Sequence, residues 1–279
     1  MMVRLSLFGI LLLVLTDQRS VSAEDSRWIV QQKRGTTELY SEASLDTTAL
    51  WKHLDDVKSE LSMTLGLTIP AGDVQVMVFR DQSSYVKYLA GSLPQAQFRR
   101  ALYYKNQQQQ VSQIYVWNSR HLVTDLRHEM THVLLHLTLP YVPLWMDEGF
   151  ATYFETPAAQ RAKSDRIASV RWSARFGRTP SLLDLEQIPS AEAMDLHDYR
   201  SSWAWTAFLL NESSESRETC RKYLSLIQRG EAPDAMSRFG AAEISDFQRR
   251  ANSYFKKMTI RLTSDSSLSK PAPGPVLKD

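Results

Sequence analysis

His128-Glu129-Met130-Thr131-His132, followed shortly by Leu144-Trp145-Met146-Asp147-Glu148-Gly149-Phe150-Ala151-Thr152-Tyr153-Phe154-Glu155, decides how this chain is read. On a helix, residues four apart lie one turn from each other on the same face, so His128 and His132 can direct two imidazoles at one ion. Glu129 projects beside them, within reach of a proton on water held there. The spacing is H-E-x-x-H, which points to zinc chemistry. Leu122, Val123, Leu126, Met130, Val133, Leu134 and Leu137 supply apolar faces for a buried helix over 120–137. Pro140 ends that helix and Pro143 can open the next.

Two histidines are not a complete zinc site, because zinc needs a third protein ligand and an open position. His136, Glu148 and His197 are the candidates downstream. His136 lies two turns from His128, too far along the axis for three histidines of one regular helix to share an ion. Leu135 and Thr138 stand where the metzincin pattern needs Gly and His. Glu148 is better placed: the turn Pro140-Tyr141-Val142-Pro143 folds the second helix back, and Gly149 removes a side chain where the backbones approach. Asp147 suits a helix start by the dipole and could also accept the free N–H of a ligand histidine. Trp145, Phe150, Tyr153 and Phe154 have the helical spacing of core residues. Arg127 either pairs with a carboxylate near the site or faces solvent.

With Pro143-x-Trp145-Met146-Asp147-Glu148-Gly149-Phe150-Ala151-x-Tyr153 behind the first motif, the chain resembles the gluzincin metallopeptidases. Within them it is most similar to the compact peptidase-MA-like proteins of bacteria. Tyr199-Arg200-Ser201-Ser202-Trp203 resembles the Y-x-x-S-W helix of those proteins, and the likeness covers about 120–210. The resemblance implies one zinc ion held by His128, His132 and Glu148, with Glu129 as general base in peptide hydrolysis. The developing oxyanion needs a further donor, for which Tyr199 is the candidate and His197 the alternative. The Gly-Ala-Met-Glu-Asn strand of the aminopeptidase branch has no counterpart, and Gln113-Ile114-Tyr115-Val116-Trp117 carries no acidic residue. Cleavage within a chain is therefore expected over amino-terminal removal. The alternative is a catalytically silent zincin-fold binding or scaffold module of the cell envelope. Glu129 argues against it, since a structural zinc site needs no base.

Working outward, residues 1–23 read as a secretory signal: Arg4, an apolar run over 5–15, and Val21-Ser22-Ala23 before a cut. An exported protein, periplasmic or secreted, is expected, with no transmembrane segment after the signal is cleaved. A net charge of +2, spread along the chain, gives no footing for nucleic acid, so the expected partner is a peptide or protein substrate. Cys220 is the only cysteine, which excludes an intrachain disulfide and reads as a small buried hydrophobe.

The remaining pattern predicts a hairpin around Lys33-Arg34-Gly35, a helix over 46–65 stopped by Gly66, and a strand over 74–79. A short helix over 83–90 ended by Gly91 follows, then antiparallel strands over 101–105 and 113–117. The second of these, just before the metal helix, is a candidate sheet edge for an extended substrate. Helices are expected over 158–176, 199–210, 216–229 and 242–258, and a disordered tail over 263–279. The sum is an α+β chain: a small mixed or antiparallel sheet followed by a helical half, in the manner of the zincin-like metallopeptidase fold. A single domain over 24–262 is expected, with the metal-site core at about 98–210.

Overall fold

Gly35, with φ at +57°, turns the chain between β1 (Val30–Arg34) and β2 (Thr37–Ser41), the expected hairpin. The computed structural model describes residues 26–260 apart from 97, 107 and 108. The expected signal over 1–23 and tail over 263–279 lie outside the described residues. Asp46 caps α1 (Thr47–Leu65) by accepting the backbone N–H of Thr48 and Ala49, and Gly66 ends it in the left-handed conformation. Next come β3 (Val74–Phe79), α2 (Gln82–Ser92), β4 (Leu102–Asn106) and β5 (Val111–Trp117). Gly91 does not stop α2. Its φ stays out of the positive range, and the helix continues to Ser92.

Among the described residues the sheet has five strands in the order β1-β2-β3-β5-β4. β2, β3 and β5 run parallel, while β1 and β4 add antiparallel at the two edges. β5 is therefore interior, and the edge expected of it belongs to β4. The reason is topological: β3 occupies one side of β5, so its hairpin partner must take the outer side. The row Leu39–Val76–Ile114–Tyr103 belongs to the large core shared with the helices. The neighbouring row Tyr40–Met77–Tyr115–Leu102 belongs to a separate aromatic cluster with Phe79, Tyr85 and Leu89. The period of two thus divides the strands between two cores.

The helical half follows as α3 (Leu122–Thr138), α4 (Leu144–Phe154), α5 (Ala158–Arg161), α6 (Asp165–Arg175), α7 (Leu182–Glu186), α8 (Leu196–Asn211), α9 (Ser214–Gln228), α10 (Met236–Glu243) and α11 (Phe247–Lys257). Two expected helices are broken. The one over 158–176 restarts at Ser164, whose Oγ accepts from the Arg166 N–H. The one over 242–258 is divided by extended Ile244 and left-handed Asp246, a conformation in which no helix of L-residues propagates. Neither α7 nor the bulk of α10 was anticipated.

α4 packs closely against α8 at one glycine. A Cβ on Gly149 would collide with Thr206 Oγ1 and stand 2.7 Å from the Ser202 carbonyl oxygen, so only glycine lets the helices approach this far. Trp145, Phe150, Tyr153 and Phe154 are buried in the core as expected. No described helix is long and apolar enough to cross a membrane.

Candidate metal centre

α3 is buried over most of its length, and its central turn carries His128, Glu129 and His132. Pro143 starts α4 by offering its carbonyl to the N–H groups of Met146 and Asp147, each at 2.9 Å. That start sets Asp147 and Glu148 in the first turns, facing α3. One Glu148 oxygen lies 3.7 Å from His128 Nε2 and 3.8 Å from His132 Nε2. Ligand atoms on a tetrahedral ion with bonds of about 2 Å lie roughly 3.3 Å apart, so these separations suit one shared ion. The three residues form a group able to hold a metal, all of them buried.

The far nitrogens of both rings are fixed. His128 Nδ1 is 2.9 Å from Glu155 Oε2, and Arg166 Nη2 holds the other Glu155 oxygen at 2.7 Å. His132 Nδ1 is 3.0 Å from Asp147 Oδ1, while His136 Nε2 meets Asp147 Oδ2 at 3.0 Å. A carboxylate on Nδ1 selects the tautomer whose Nε2 lone pair points at the centre. Asp147 therefore holds the His132 ring besides sitting at a helix start. His136 belongs to this network through Asp147 and stays outside the group of three.

The donor set fits zinc: two imidazoles and one carboxylate. His132 Nε2 and both Glu148 oxygens are buried with no hydrogen-bond partner among the described residues. Such atoms are costly unless something compensates them. Charge gives the same result. Glu129, Asp147, Glu148 and Glu155 are all buried around two imidazoles, and a divalent cation would balance the surplus. In the metal-free protein, burial opposes a proton on His128, but Glu148 and Glu155 outweigh it and hold the pKa up at about 10. Burial also works against the Asp147 charge, yet His132 and His136 hold that pKa below its usual value. Burial raises the Glu129 pKa against the pull of His128 and His132, as suits a group that takes and returns a proton.

Tyr199, on the second turn of α8, has a buried hydroxyl with no partner among the described residues. Burial pushes its pKa up, with Glu148 and Glu129 adding to the rise, so the phenol lies in the field of the site. His197 is exposed, and its Nδ1 is 3.4 Å from Ser201 Oγ. Tyr103 on the edge strand lies against His132, the rings parallel within 12° and 6.5 Å apart. Cys220 is buried, and burial raises its thiol pKa to about 12, which leaves it unreactive.

Beneath the site, Arg127 is fully buried. It donates to the Phe154 carbonyl at 3.0 Å, to the His53 carbonyl at 3.3 Å and to Glu60 at 3.1 Å. Arg161 shares Glu60 and donates to the Tyr153 carbonyl at 2.8 Å. Two guanidinium groups thus receive the last carbonyls of α4 and tie them to α1.

Sequence reasoning gave Glu155 no role. Its spacing from Glu148, two turns on one helix face, was the available signal.

No protein-family model and no curated protein matches the chain. Among solved structures, it is similar to an M1 zinc metallopeptidase from Deinococcus radiodurans at 19% identity and a TM-score of 0.47, covering 85% of this chain and 53% of that one. It is also similar to a mutant M1 zinc metallopeptidase from Deinococcus radiodurans bound to a Tyr-Ser-Ala substrate. There the identity is 16% and the TM-score 0.43, with 89% of this chain and 54% of that one covered. The chain spans about half the length of these structures.

Proposed function

We propose that this protein is a zinc-dependent peptidase that hydrolyses peptide bonds, with His128, His132 and Glu148 holding one zinc ion and Glu129 as general base. The observation that carries the reading is the pairing of two oriented imidazoles with a buried carboxylate that has no hydrogen-bond partner among the described residues. Zinc bound there supplies Lewis acidity toward a carbonyl oxygen and makes water more acidic.

The chain's residues do the rest. Glu129, 4% exposed, takes a proton from the attacking water and returns it to the departing amine, aided by its raised pKa. Tyr199 donates its hydroxyl to the carbonyl oxygen as that atom gains charge. The edge strand Leu102-Tyr103-Tyr104-Lys105-Asn106 offers backbone groups to an extended peptide. It contains no carboxylate to receive an amino terminus, which favours cleavage within a chain over aminopeptidase action. Residues 1–23 support export to the periplasm or beyond.

The test uses the purified chain. Zinc content of one ion per chain is expected, with cleavage of a mixed peptide library. Glu129→Gln should keep the zinc and lose about 10²–10⁴-fold in turnover. Unchanged metal content in His128→Ala would overturn the site, and a zinc-loaded wild type that cleaves nothing would overturn the activity.

A further inference from the structure

Arg99 stands in the segment leading to β4 and is 11% exposed. Its Nη2 is 3.0 Å from one oxygen of Glu192. Its Nη1 is buried and has no hydrogen-bond partner among the described residues. Two buried hydroxyls nearby share that condition: Tyr85 on α2 and Tyr199 on α8. The next residue, Arg100, donates through Nε to Asp125 at 2.8 Å, and Asp125 stands one helical turn before Glu129 on α3, so the segment that carries Arg99 is fastened to the helix of the proposed general base. The guanidinium pulls the Glu129 pKa down against its burial, and it also acts on both phenols after their burial. Three elements distant in sequence thus carry buried donors with no partner among the described residues.

A guanidinium is a planar fork with five N–H donors, shaped for a carboxylate held at two points. Here Glu192 uses one point only. Glu192 lies on a short 3-10 turn and its side chain is 55% exposed, so releasing it to water costs little. Arg99 is seated more firmly than its partner. The arrangement is that of a carboxylate seat half filled by an exposed residue of the same chain.

We propose that Arg99 is a specificity residue of this site, receiving a carboxylate of the bound peptide in place of Glu192. The inference rests on the peptidase reading and adds a substrate class: peptides that present a negative charge close to the bond to be cut. That charge has two sources, the free C-terminus of a short peptide or an acidic side chain within a longer one. Both offer the same two oxygens.

The test is a binding measurement on the full, zinc-loaded chain carrying Glu129→Gln, so that no turnover intervenes. Titration calorimetry compares N-acetyl pentaalanine with a free C-terminus, the same peptide as its amide, and the amide with one internal Glu. At least one carboxylate-bearing peptide should bind about 10–100-fold more tightly than the plain amide, as expected for hydrogen bonds to a charged group. Which one does so identifies the source. Adding Arg99→Gln should remove the difference. Adding Glu192→Gln should widen it several-fold, and this opposite effect keeps the inference testable if Arg99→Gln fails to fold. Equal affinity for all three peptides, a preference that survives Arg99→Gln, or no gain in Glu192→Gln overturns the inference. In those cases the peptidase reading stands, because it is judged by zinc content and cleavage. Absence of binding by every peptide also overturns the inference, and the peptidase reading is still decided by zinc content and cleavage of the mixed library.

Discussion

Behind the two histidines each outward ring nitrogen meets a carboxylate that is itself held by a second group, Arg166 on Glu155 and His136 on Asp147. A second set of groups, Arg99, Tyr85 and Tyr199, carries buried polar atoms with no partner among the described residues. The first wall is complete without a ligand and fixes the direction of two lone pairs. The second is incomplete, and what it lacks is an acceptor. Ligands to a metal must be rigid before the ion arrives, whereas groups that recognise a substrate must keep hydrogen bonds in reserve. Arg99 and Arg100 condense the contrast into one dipeptide. Arg100 grips buried Asp125 through Nε at 2.8 Å and Nη2 at 2.6 Å, which fastens the segment to α3, and Arg99 is left half used.

The contrast breaks first on the finished wall. Asp147→Asn and Glu155→Gln should each weaken zinc binding by up to about 100-fold while leaving the fold intact. Competition with a chromophoric chelator measures it, and unchanged affinity in both would mean that the rings need no support. A smaller effect is expected at Asp125. Burial raises its pKa to about 6 despite Arg100, above its unfolded value, so its contribution to stability is full at pH below about 3.8 and is lost as pH rises through about 6. Asp125→Asn does not titrate. The stability difference between wild type and variant should therefore move in favour of the variant by about 2 kcal/mol from pH 4 to pH 7. Urea unfolding of the metal-free proteins reads this, and a flat difference would show that Arg100 neutralises the burial. The smallest effect belongs to the unfinished wall. Tyr85→Phe removes a hydroxyl that has no partner, so stability should stay within about 0.5 kcal/mol of wild type. A loss beyond about 1.5 kcal/mol would show that the hydroxyl is satisfied in the folded protein.

How much of this was legible in the residues depends on the range of each interaction. The two histidines four apart were readable, because helix geometry alone puts them on one face. The boundaries of α1 followed from Asp46 and Gly66, which act on their own backbone. Breaks at Ser164 and Asp246 were harder. The apolar pattern continues through both, and the caps that interrupt it look like ordinary polar residues. β5 was readable only as a candidate edge and is interior, because strand order is a property of the sheet and leaves no mark on the strand.

By itself, the sequence determined the α+β class, the helix that carries His128, Glu129 and His132, and the turn that returns Glu148 to it. Each depends on periodicity or on contacts a few residues apart. Tertiary structure alone decided that Glu155 backs His128, that Arg127 and Arg161 share Glu60, and that Arg99 pairs with Glu192 with a buried donor to spare among the described residues. Those pairings join residues far apart in the chain. A buried charge is tolerable only beside its partner, and that partner is named by the packing of whole helices.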